Sequence, residues 1–182
     1  MPESNQKENL FNSFSSASLG FPSNGFGSDP HLEIAITSKH LRGSENHEDF
    51  NQFSSSNPIS NPGIGLSVNT GLNEMGAPVR AETAIYKNSY GKPTAYIAAS
   101  WQPLQAKLPE GLKAEFGAVV GLATGYTGHV PKNIEMGPVV PVVAPRLSIE
   151  DPSSGVAGNI SVIPGLSPQD ATAFCFSISK KF

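Results

Sequence analysis

The sequence predicts an all-β protein: an antiparallel up-and-down β-barrel of about eight strands with an extended N-terminal arm. Three observations carry this. The 182 residues include 18 Gly and 16 Pro but only 15% charged residues, a mix that suits short strands and turns better than helices. From His31 onward, segments of strand-like composition follow one another, separated by turn signals. No segment keeps the 3.6-residue apolar period of a helix of normal length.

The elements follow in order. Residues 1–30 are rich in Ser, Asn, Gly and Phe and have neither period, so they form an arm outside the barrel of residues 31–182. Phe11, Phe14, Phe21 and Phe26 are spaced along it, together with Leu19. They are the candidate anchors through which the arm docks on other protein subunits. In HLEIAITSKHL (31–41), strict alternation puts Leu32, Ile34, Ile36, Ser38 and His40 on one face and Glu33, Ala35, Thr37 and Lys39 on the other. A long polar loop spans 43–61. NPGIGLSVNTGL is the second strand. VRAETAIYKNS and TAYIAASWQPL form a pair around the Gly91-Lys92-Pro93 turn. The next strand, LKAEFGAVVGLATGY, carries Gly117 and Gly121, which fit close backbone approach in a coiled barrel. Pro138, Pro141 and Pro145 predict an edge or broken strand in GPVVPVVAPRLSIED, because proline cannot donate to a ladder. GVAGNISVIPG and DATAFCFSISKKF complete the count.

Composition narrows the function. A net charge of −3 with no basic cluster argues against nucleic-acid binding. The single Cys175 makes no internal disulfide and reads as a small buried hydrophobe. His31, His40, His47 and His129, with Glu45, Glu48 and Asp49 near His47, lack compact metal-ligand spacing, so neither metal nor cofactor is expected. Asn159-Ile160-Ser161 matches the glycosylation triplet, a chance match if the chain is not secreted. MPESNQKENL has no basic segment followed by an apolar run, so no signal peptide is expected. The chain is expected to stay in the cytoplasm or to leave it within an assembly. Charges on both faces of several strands (Glu33 and Lys39, Arg80 and Glu82, Lys113 and Glu115) predict a soluble barrel with no membrane span.

The order ITSKHL, NPGIGL, AIYKNSYGKPTAYIAASW, PVVPVVAP, ISVIPG and a terminal strand ending in Phe resembles the lipid A palmitoyltransferase family, the PagP-type eight-stranded barrels. It is more closely similar to the small PagP-like barrel proteins of tailed bacteriophages. The resemblance covers about residues 31–182 and implies an acyl-transfer site. The enzymes place a His on the first strand and an Asp-Ser pair at a later strand end. His40 matches the His and Ser89 the Ser, while Asn88 stands where the Asp would be. An amide can orient an imidazole but cannot supply the charge that stabilises an imidazolium. Fold analogy alone does not confer function. The expected role is therefore non-enzymatic: a phage-type structural or accessory protein that docks on a virion or similar assembly through its arm. The alternatives are a PagP-like acyltransferase using His40, Asn88 and Ser89, or a barrel holding a lipid or other small apolar ligand.

Overall fold

The structure is a computed structural model and describes residues 28–41, 54, 56–164 and 172–182. Eight strands run β1 (His31–Leu41), β2 (Gly63–Glu74), β3 (Ala77–Lys87), β4 (Pro93–Lys107), β5 (Lys113–Thr124), β6 (Val139–Asp151), β7 (Val156–Ile163) and β8 (Thr172–Lys181). Each pairs antiparallel with its sequence neighbour, and β8 pairs with β1 to close the barrel. This is the fold class that the turn spacing predicts. Leu19, the four arm phenylalanines and the residues 45–49 fall outside the described residues. The last residues before β1 are fixed to the rim at the lower end of the barrel. The Asp29 carboxylate meets Lys181 Nζ at 3.0 Å, and Phe182 N–H donates to the Pro30 carbonyl at 3.0 Å.

The distribution of polarity corrects the sequence reading. The inward face is small and polar. Ser67, Asn69, Glu82, Ser100, Arg146, Ser148, Asn159 and Ser179 are buried, while the buried hydrophobic residues are Ala and Val only. The outward face is aliphatic. Ile178, Ile34, Ile64 and Ile85 are direct partners across β8, β1, β2 and β3, and Phe116, Leu147, Ile160 and Phe176 are direct partners across β5 to β8. On β4, Ile97 is 65% exposed and pairs with Leu122. The expectation of a soluble barrel rested on charges taken to break any apolar band. Five of those six charges, Glu33, Arg80, Glu82, Lys113 and Glu115, line the lower interior instead. Only Lys39 points outward, near the upper end of β1. Eight strands leave a lumen just wide enough for side chains, so small and paired polar groups fill it and the bulky aliphatic residues turn out.

A bulge explains the error on β1. The pairing with β8 shifts between Ala35 and Thr37. Strict alternation therefore fails there, and Glu33 and Ala35 line the same interior as Ser38 and His40. Gly117 and Gly121 behave as read: an added Cβ would meet the Trp101 carbonyl oxygen at 1.9 Å and the Ile97 carbonyl oxygen at 2.3 Å. The proline-rich segment is not broken. β6 runs without interruption and pairs with β5 along nearly its whole length, from Val139 with Thr124 to Glu150 with Lys113. On its other side, ladder pairing with β7 begins only at Arg146. Pro141 and Pro145 are tolerated in this ladder because a strand needs its N–H groups only on its paired side.

Candidate functional site

Among the described residues, an upper and a lower cavity lie in the interior. The lower one, about 160 Å³, is polar and charged. The upper one, about 240 Å³, has mainly apolar walls, and it is far larger than the roughly 10–15 Å³ that one water requires. It exists because the inward positions at this level are small: Ala35, Gly65, Ala84, Ala123, Ala144 and Ala173 come from six different strands. Its floor is the buried ion pair. Arg146 Nη1 donates to Glu82 Oε1 at 2.7 Å, Tyr96 O–H donates to Glu82 Oε2 at 2.5 Å, and Arg146 Nε donates to Ser161 Oγ at 2.9 Å.

His40, Asn88 and Ser89 all line this upper cavity, so residues far apart in sequence share one wall. His40 lies near the end of β1, and Asn88 and Ser89 lie just past the end of β3, both buried. Asn88 is anchored by backbone groups. Its Oδ1 accepts from the backbone N–H of Tyr90 at 3.0 Å and of Lys92 at 2.9 Å, and its Nδ2 donates to the Gly125 carbonyl at 2.9 Å. The amide closes the β3–β4 turn and ties it to the end of β5. Gly125 suits that junction because its φ is +82° and an added Cβ would lie 2.6 Å from Thr94 Oγ1 and 3.1 Å from Asn88 Nδ2.

This geometry gives a physical reason for Asn rather than Asp at position 88. A carboxylate could accept the two N–H groups but would place a second bare oxygen against the Gly125 carbonyl. We expect Asn88→Asp to destabilise the protein by about 1–3 kcal/mol at neutral pH, the cost of a buried acceptor left facing an acceptor. Denaturant unfolding of the two proteins side by side checks this, and unchanged stability would contradict it.

The Asn61-Pro62-Gly63 motif stitches the start of β2 to its neighbours. β1 and β2 pair only from His31 with Ser67 to Ala35 with Gly63. Beyond that point the Asn61 N–H donates to the Ile36 carbonyl at 3.2 Å, and side chains add to it: Ser38 Oγ donates to Asn61 Oδ1 at 2.7 Å, and Asn61 Nδ2 donates to the Lys87 carbonyl at 3.2 Å.

The sequence reading missed the aromatic part of the site. All four tyrosines of the chain, Tyr86, Tyr90, Tyr96 and Tyr126, line the upper cavity. Tyr86 and Tyr96 meet edge-on at 6.3 Å between centroids, and Tyr90 and Tyr126 do so at 6.1 Å. At the mouth, His129 stacks on Tyr90 at 3.7 Å, and its Nε2 lies 3.0 Å from Lys92 Nζ. Partial burial and the Lys92 ammonium lower the His129 pKa, while burial and the adjacent Tyr86 phenol hold the Tyr126 phenol well above its ordinary value. The only sequence signal was parity, since Tyr86 and Tyr96 share the inward face with Ala84 and Ala98. Tyr90, Tyr126 and His129 sit in loops, where period says nothing.

Among the described residues, no three His, Cys, Asp or Glu side chains are grouped so as to hold a metal ion, and no helix is long and apolar enough to cross a membrane. No protein-family model matches the chain, and no curated protein matches it in sequence.

Proposed function

We propose that the protein is a lipid-facing β-barrel that holds one apolar ligand in the upper half of its interior. The observation that carries this reading is the inverted polarity of the barrel. A water-facing barrel buries its large aliphatic residues, whereas here they form the outer wall and the inside is polar below and hollow above. Between the strand ends, the outward positions of β2 to β7 carry no charged residue. Charges such as Lys87 and Lys180 lie at the ends, where lipid gives way to water. The upper cavity, with apolar walls and a few convergent polar groups at one end, has the character of a small-molecule site.

Filling the cavity tests the ligand. Ala144 is buried in its wall, and Ala144→Phe should weaken binding of a fluorescent fatty-acid analogue at least about tenfold, a loss of roughly 1.4 kcal/mol. Equal binding by the folded variant would place the ligand elsewhere.

His40 and Ser89 offer the enzymatic version of this reading, acyl transfer from a bound lipid. It would need a negative charge to stabilise the His40 imidazolium, which the Asn88 amide cannot supply. Incubation with a phospholipid donor and a lipid A acceptor, with His40→Ala and Ser89→Ala as controls, distinguishes a transferase from a binding barrel. Docking on an assembly through residues 1–30 is compatible with either. Deleting residues 1–27 should abolish such docking without unfolding the barrel, and normal incorporation of the truncated chain would refute it.

A further inference from the structure

Two of the four tyrosines form a pair whose hydrogen-bond count does not close. Tyr86 and Tyr126 hydroxyl oxygens lie 3.1 Å apart. Among the described residues this is the one hydrogen bond that either phenol makes. Each phenol carries one proton. One proton serves the bond between the two oxygens, so the other has no acceptor among the described residues. Both rings line the upper cavity and are held in place by neighbouring rings, Tyr86 by Tyr96 and Tyr126 by Tyr90. The surplus O–H therefore belongs to a preorganised group on the cavity wall. An unsatisfied donor in such a place is costlier and rarer than an unsatisfied lone pair, so the pair favours a ligand that brings an acceptor.

We propose that the Tyr86–Tyr126 pair is a donor site for a carbonyl oxygen, so that the ligand class is an apolar chain bearing an ester or ketone group rather than a plain hydrocarbon. The proposal rests on the cavity being a ligand site, and it adds a chemical preference to that reading. It also makes a specific statement about redundancy. Either phenol alone retains a proton, so either can serve the acceptor when the other is removed. Only loss of both removes the donor.

The test uses the full chain in detergent micelles and two probes of equal non-hydrogen atom count, methyl decanoate and tridecane, each competing with a bound fluorescent fatty-acid analogue. The wild-type protein should favour the ester over the alkane by about two- to tenfold, the range of one net hydrogen bond. Tyr86→Phe and Tyr126→Phe should each keep most of that preference, and the double variant should lose it. The infrared carbonyl band of methyl decanoate bound to the wild-type protein should also lie below its position in alkane solvent. That readout holds even if the double variant fails to fold. An ester preference that persists in the folded double variant, or a carbonyl band at its alkane position, overturns the donor site while leaving the cavity reading intact. Failure of both probes to displace the analogue overturns the cavity reading and the donor site with it.

Discussion

Val120→Arg will cost the protein about 2–4 kcal/mol of stability in lipid vesicles, the penalty for a basic residue at the lipid-facing midplane of a barrel. Val120 is 54% exposed on β5 and pairs with outward Val143 on β6 and Ala99 on β4. Neither partner offers a charge to meet the guanidinium. The same substitution on a surface bathed in water should stay within about 0.5 kcal/mol, since it breaks no contact and fills no core. The two expectations differ by several-fold in free energy, so denaturant unfolding in vesicles separates them. A negligible effect, together with wild-type protein that stays dispersed in buffer without lipid or detergent, would mean that the outer wall faces water.

Glu82→Ala will be comparably damaging from the inside. Glu82 and Arg146 are 2.7 Å apart, with side chains 4% and 10% exposed, and the carboxylate also accepts from Tyr96. Removing one member leaves a buried charge without its counter-ion, a change that costs about 3–5 kcal/mol. Replacing both with apolar residues of similar volume, as in Glu82→Leu with Arg146→Met, should recover much of that loss. Denaturant unfolding of the single and double variants gives the comparison. If the double variant were no more stable than Glu82→Ala, the loss would come from packing and not from the orphaned charge. The pair is also the partition between the two cavities, so in Glu82→Ala the polar lower chamber and the apolar upper one should become continuous to water.

The strands were readable in the sequence because turn residues punctuate them at regular spacing: Gly91-Lys92-Pro93 ends one hairpin, and Leu108 to Gly111 ends the next. Which face of each strand pointed inward was not readable, because alternation is symmetric with respect to inside and outside. Glu33 and Ile34 alternate equally well in either kind of barrel, and the bulge at the middle of β1 reverses the count halfway along. The candidate site was half legible. His40 and Ser89 were found by motif order and do share a cavity wall. The role of Asn88 was not, since its partners, the Tyr90 and Lys92 N–H groups and the Gly125 carbonyl, are backbone groups with no signature in side-chain identity. The tyrosine cluster was invisible for a different reason: its members come from β3, β4 and two loops, and only closure of the barrel brings them together.

The prolines of β6 have a consequence for how copies of the chain meet one another. Although the barrel is closed, among the described residues the half of β6 from Val139 to Pro145 has no ladder partner in β7. An unpaired backbone edge is a template on which a second chain can zip up by strand addition. Pro141 and Pro145 present no N–H group to such a visitor, so the seam offers an incomplete row of donors. Their rings also stand where an incoming backbone would have to lie flat. The seam is in this way protected from intermolecular sheet growth without being sealed, and Pro141→Val with Pro145→Val would supply the missing donors and turn a shielded gap into an adhesive one.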